Sequence, residues 1–124
     1  MKVLSIKNPW ADWIMFGRKG NFKNTENRTW EVMYRGRLLI HVSKTLDRYA
    51  AERYNAKPED YERWKEQAGK IIGTVELYAI DRDIQSFWDE SDLFHWRIRD
   101  PQPLKKPVPA LGRLGLWEYT GELK

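Results

Sequence analysis

Apolar positions fall along the chain in short groups of different period, and the spacings predict strands and helices in alternation. Val3, Leu4 and Ile6 read as a first strand. Asn8-Pro9 then supplies a capping residue and a proline for the first helical position, and Trp10, Trp13, Ile14 and Gly17 recur on one helical face that ends in a glycine. From Arg18 to Asn24 the chain is basic and broken by Gly20 and Asn21, so a mobile loop is expected. Thr25 to Trp30 resumes in extended form. After a turn at Tyr34-Arg35-Gly36, Arg37 to Ser43 reads as a clear strand.

The middle of the chain changes period. Leu46, Tyr49, Ala50, Arg53 and Tyr54 follow helical spacing, and Pro58-Glu59-Asp60 opens a second helix whose Tyr61, Trp64 and Ala68 share a face before Gly69 ends it. Acidic residues crowd its first turn, where the helix dipole favours them. Ile71 to Ile80 has the length and β-branched content of a long strand, with a bend at Gly73. From Phe94 the tail carries Pro101, Pro103, Pro107 and Pro109, which confine it to sheet edges and irregular connections, and Leu114 to Tyr119 closes as a final strand. Short strands cornered by Gly and Pro, interrupted by a helical insertion over about residues 45–69, predict one α+β domain over residues 1–124, a small β-barrel with surrounding helices.

Composition narrows the classes of function. The 124 residues suffice for one domain, and a chain of this size buries about two-thirds of its unfolded surface, enough for a single core without staples. Apolar residues make up 41% and charged residues 32%, and no apolar run approaches the ~18 residues of a membrane span, so a soluble protein is expected. No signal peptide opens it, which makes the cytoplasm the expected compartment. The absence of cysteine excludes a disulfide scaffold and thiolate metal sites, and two histidines, His41 and His95, are too few for zinc; no metal or cofactor is expected. Seven tryptophans are many for this length, and they either fill a small core or line a pocket for a flat ligand.

The formal net charge of +4 conceals a segregation. Residues 1–44 carry a balance of +6, residues 45–92 one of −5, and residues 93–124 one of +3. If the two ends of the chain lie together, the molecule has a basic face suited to a polyanion such as nucleic acid. The alternative is a mixed solvated surface.

The densest chemistry lies in Lys23-Asn24-Thr25-Glu26-Asn27-Arg28-Thr29-Trp30. In an extended segment alternate side chains share a face, so Glu26, Arg28 and Trp30 point one way and Thr25, Asn27 and Thr29 the other. Glu26 would accept from an exocyclic amine or an arginine, Arg28 would donate to phosphate or a base carbonyl, and Trp30 would stack on a base. The same residues also fit a Glu-Arg ion pair on a sheet with Trp30 in the core.

The run from Leu4 to Lys44 resembles the N-terminal half of ASCH domains, a branch of the PUA-like β-barrel superfamily. The resemblance rests on Leu4-Ser5-Ile6, Asn8-Pro9-Trp10-Ala11, Gly17, a Gly-x-Lys-x-x-Glu-x-Arg signature, Tyr34-Arg35-Gly36 and Leu39-Ile40-His41-Val42-Ser43-Lys44. Gly112-x-x-Gly115-Leu116-Trp117 is similar to the family's last strand. This chain departs from the signature by an apparent insertion: Lys19 keeps the family's distance to Gly17, whereas Lys23 keeps its distance to Glu26, and either fits as the motif lysine. The resemblance implies a PUA-like fold and binding of RNA or a modified nucleoside or nucleotide in a cleft around the motif. It also implies an alternative, since some ASCH-like proteins hydrolyse the acetyl amide of acetylcytidine with a lysine, a threonine and a glutamate, and others are assigned ribonuclease activity. In that hydrolytic branch the threonine position is filled here by Glu26, and the adjacent Thr25 faces the other way. A Lys-Glu pair would then activate water, with Lys19 or Lys23 beside Glu26 as general base and Arg28 stabilising an oxyanion.

Secondary candidates complete the reading. Arg35, Ser43, Lys44 and Arg97 are candidate nucleic-acid contacts, Arg97 as part of a stripe with His95 and Arg99 on one strand face. His41 fits a satisfied sheet histidine or a catalyst; Trp10 and Trp13 fit the core or the cleft edge; Trp64 and Trp117 read as core, and Glu76 as an outward strand residue or a second carboxylate approaching the site.

Overall fold

A computed structural model describes residues 1–123. Its elements run β1 (Lys2–Ile6), α1 (Trp10–Met15), β2 (Thr25–Arg28), β3 (Gly36–Val42), α2 (Arg48–Arg53), α3 (Pro58–Gln67), β4 (Lys70–Asp81), β5 (Phe94–Pro109) and β6 (Leu116–Glu118). The strands form one mixed sheet in the order β2-β5-β4-β3-β1-β6, curled into a half-barrel with three helices, an α+β architecture. Among the described residues only β1 and β3 pair in parallel; a parallel neighbour needs a long crossover, and here α1 and β2 supply it.

Strand periodicity sorts the side chains into two cores. Along β3, Leu38, Ile40 and Val42 turn into the barrel with Leu4, Ile6, Leu77, Trp96 and Ile98, whereas Leu39 turns outward to Val3, Ile71 and Trp117. Helix α1 plugs the barrel with Ala11, Ile14 and Met15. Its approach depends on Gly73, where a Cβ would lie 2.5 Å from the Met15 sulfur and 2.7 Å from the Gln102 carbonyl oxygen. The ladder shifts register beside that glycine, at Ile71/Gly73, as expected of a bend.

A third cluster joins the helices: Trp13, Ala51 and Trp64, with Tyr54, Tyr61 and Trp88 packed around them. Buried Asp12 of α1 ties it together by accepting from Arg63, the Trp64 indole and Gln67 of α3. No pattern read from the sequence identified Asp12 as this joint. Its partners lie more than fifty residues downstream.

Three expectations require correction, and a fourth is narrowed. The basic segment is anchored: Arg18 and Asn21 exchange backbone hydrogen bonds of 2.7 and 2.9 Å, and the Lys23 amide donates to the Trp13 carbonyl. Of the two places expected for the proline-bearing tail, it takes the sheet edge and not an irregular connection, as part of β5, the longest strand among the described residues. Its prolines follow Arg97, the last residue that pairs with β2, where only β4 flanks the strand, so ladder positions lacking an N–H are tolerated. Tyr49 is exposed, because Ala50 and Ala51 form the inward face of α2. The last strand is confined to Leu116–Glu118, and Leu114 before it is fully exposed.

Candidate functional site

The sheet curls far enough that its two ends approach each other. At one end lies β2; at the other lie β1 and β6, and the Arg28 guanidinium donates across the seam to the Ser5 carbonyl at 3.0 Å. A cleft of about 670 Å³ opens along this seam, within the usual range for small-ligand sites. Its floor is built from Ser5, Glu26, Asn27 and Arg28, and one wall from His41, Ser43 and Lys44 at the end of β3. Trp10 and the Ala110–Gly115 loop close the sides. Lys7, Arg28, Lys44 and Arg113 outnumber Glu26 and Asp47 along the lining, so the cleft is cationic.

The alternation of β2 decides what faces this space. Glu26 and Arg28 line the cleft, whereas the buried Thr25 hydroxyl accepts from Arg97 at 3.1 Å on the opposite face. No threonine nucleophile is therefore presented beside Glu26. The Glu26 carboxylate sits between two cations: Lys23 Nζ donates to Oε1 at 3.2 Å, and Arg28 Nε donates to Oε2 at 3.0 Å. Lys23 also donates to the Thr25 carbonyl and lies 5.5 Å from the Trp10 ring centroid. Lys23 is 4% and Glu26 8% exposed, so each charge is buried with its partner in place, the condition under which buried ions persist. Among the described residues, Arg28 Nη1 donates to no protein acceptor.

Of the two candidate lysines, the structure brings Lys23 to Glu26. Lys19 is exposed on the preceding turn with φ 50° and lines no part of the cleft. Ser43 and Lys44 do line it. Trp30 does not: β2 ends at Arg28, the alternation stops there, and the Trp30 ring packs edge-on to Trp96 with centroids 4.8 Å apart. Trp10 is the aromatic residue at the cleft, fixed by its indole bond to Asp47 at 2.9 Å. Arg35 is likewise outside, its guanidinium folded back onto the Val32 and Tyr34 carbonyls.

Arg97 is displaced furthest from expectation. It is buried on the other face of β2 and β5, where it donates to Asp81, Asp89, Thr25 and the Asp83 carbonyl, so it forms no phosphate track. Burial alone would push the Asp89 carboxyl up, but hydrogen bonds from Arg97, from the Gln85 and Ser86 amides and from the Ser86 hydroxyl hold it far below the carboxylate range. The Arg97 bond likewise lowers Asp81, and both carboxylates raise Arg97. The stripe breaks up further: His95 is fully buried, and Arg99 pairs with the outward Glu76 at 3.0 Å.

His41 borders the cleft with both ring nitrogens engaged, Nδ1 with the Ser5 hydroxyl at 2.9 Å and Nε2 with the Ala110 carbonyl at 2.8 Å. Trp13, Trp64 and Trp117 are core. Sequence reasoning missed Lys7, Asn27, Asp47 and the Ala110–Gly115 loop as lining. One signal was available in Gly112: a Cβ there would lie 2.7 Å from His41 Cε1, so only glycine lets the loop rest on that ring.

Among the described residues, no helix is long and apolar enough to cross a membrane. Compared with known proteins, residues 4–107 match the family model described as the ASCH domain. The match ends before the Ala110–Gly115 loop. No curated protein matches the chain.

Proposed function

The chain belongs to the ASCH domain family, and from that premise we propose that it binds RNA or a modified nucleotide in the seam cleft. One observation carries the reading: a buried carboxylate, Glu26, is fixed between Lys23 and Arg28 on the floor of a cationic cleft. A fixed carboxylate accepts from an exocyclic amine, and Arg28 Nη1 donates to a base carbonyl or phosphate. Trp10 supplies the aromatic wall, while Lys7, Ser43, Lys44 and Arg113 receive the backbone. Fluorescence anisotropy of a labelled single-stranded RNA, followed across salt concentration, tests this reading. Affinity should fall steeply with salt and drop about tenfold in Arg28→Ala; affinity indifferent to both refutes it.

A hydrolytic reading draws on the Lys23–Glu26 contact itself, in which Glu26 would take a proton from water and Arg28 would stabilise the oxyanion. Incubation with acetylcytidine, followed by chromatography, separates the readings. Deacetylation that is abolished in Glu26→Gln favours hydrolysis; no turnover by a protein that binds RNA favours the binding module.

A further inference from the structure

On the far side of Glu26 lies a second hollow of about 350 Å³. It shares Trp10, Glu26 and Asn27 with the cleft, so the two spaces are contiguous along one wall. Its other boundary is the segment between β4 and β5, where Phe87 is 78% exposed and packs edge-on to Trp88 with centroids 5.0 Å apart. Phe87 has no core to fill: it stands on the surface at the mouth of the hollow.

The segment is tied to the sheet from two sides. The Asn27 side chain clamps it from β2, donating to the Trp88 carbonyl at 2.9 Å and accepting from the Glu90 amide at 3.2 Å. Below, Asp89 is fastened to Arg97 by two bonds of 2.7 Å. Lys23, Glu26 and Asp89 are all paired within the protein; among the described residues, the charges left without an ion-pair partner at the rim are Arg53, its guanidinium over the Tyr54 ring at 5.5 Å, and the Glu90 carboxylate. A presented aromatic ring beside one guanidinium and one carboxylate suits a base with its single phosphate linkage, the carboxylate accepting from an exocyclic amine, and not a second dense anion.

We propose that the second hollow is a subsite for the nucleotide adjoining the one in the seam cleft, and that the ligand is therefore a single-stranded RNA segment of at least two nucleotides. The proposal rests on the RNA-binding reading above. Phe87 stacks on the second base with the Trp88 ring at its edge, Arg53 meets the phosphate linking or following it, and the Trp10–Glu26–Asn27 wall divides the two bases. A free modified nucleotide would leave this hollow unused.

Calorimetry with mixed-sequence ribo-oligonucleotides of one, two and four nucleotides tests it. Affinity should rise about tenfold or more from one nucleotide to two, as one added base stack implies. That gain should shrink to about threefold or less in Phe87→Ala and in Arg53→Gln, with mononucleotide affinity unchanged, because neither residue lines the seam cleft. Phe87 is exposed enough to remove without unfolding the protein, which Trp88 in the helical cluster is not. If a mononucleotide binds and a dinucleotide binds no tighter, or if the gain survives both substitutions, the subsite is refuted while the seam cleft stands. Failure of every length to bind overturns the RNA-binding reading and the subsite with it.

Discussion

Strand β2 carries two arginine–carboxylate clusters, one on each face, and they differ in what they leave over. On one face Arg97, from β5, meets Asp81, Asp89 and Thr25, with the Asp89 side chain wholly enclosed. On the other, Arg28 and Lys23 grip Glu26, yet the Arg28 side chain stays 23% exposed and its Nη1 points to no protein acceptor. The first cluster is saturated and cements a loop to the sheet. The second is held in shape but incomplete, and it opens on the cleft. Similar residue types thus end saturated within the fold or open to a cleft according to the side of a four-residue strand on which they fall.

The sharpest way to break this comparison is to remove each arginine. Arg97→Met should cost about 3–5 kcal/mol of unfolding free energy, because it strands the enclosed Asp89 carboxylate and leaves the half-buried Asp81 without its partner. Arg28→Met should cost only about 1–2 kcal/mol, since Lys23 remains beside Glu26 and the Arg28 side chain is itself partly exposed. Urea unfolding measures both. Equal losses would erase the distinction.

Acid gives a second test of the saturated cluster. Asp81 and Asp89 are held below their unfolded value of about 3.9, so their contribution is present above that pH and is lost as pH falls through the lowered folded values. Stability should therefore decline from about pH 5 downward. In Arg97→Met the buried Asp89 loses the guanidinium that opposes its desolvation, and the acid decline should flatten. An unchanged decline would place the acid-sensitive groups elsewhere.

Trp30 and Trp10 extend the contrast to the aromatics. Trp30→Ala should lower stability by about 2–3 kcal/mol and leave RNA affinity unaltered, because its ring meets Trp96 and not the cleft. A binding loss at unchanged stability would return Trp30 to the site. The smallest effects belong to Lys19→Ala and Arg35→Ala, which should change stability by less than about 0.5 kcal/mol and RNA affinity by less than about twofold.

What was legible in the chain follows the range of the forces involved. β1, β3, β4 and both central helices carry their periods locally, and the opposed faces of Thr25 and Glu26 follow from the pleat alone. The three-residue spacing brought Lys23 to Glu26, although Lys19 matched equally well until the anchored turn placed it outside. The rest required distant partners. Arg97 looked like a free cation because Asp81 and Asp89 lie in a different segment, and the tail stayed open between sheet edge and irregular connection because an edge that tolerates proline is defined only by where β2 stops. The Asn27 clamp and the Phe87–Trp88 rim, more than fifty residues apart in the chain, left no local pattern at all.

The most direct measurement is a map of backbone amide NMR shifts as a short single-stranded RNA is titrated into the protein. Shifts should concentrate at Ser5, Asn27, Arg28, Ser43, Lys44 and the Ala110–Gly115 loop, while amides around Asp81 and Asp83 stay fixed. Shifts centred on Asp81 and Asp83, with the seam residues unmoved, would contradict the assignment of recognition to the open face.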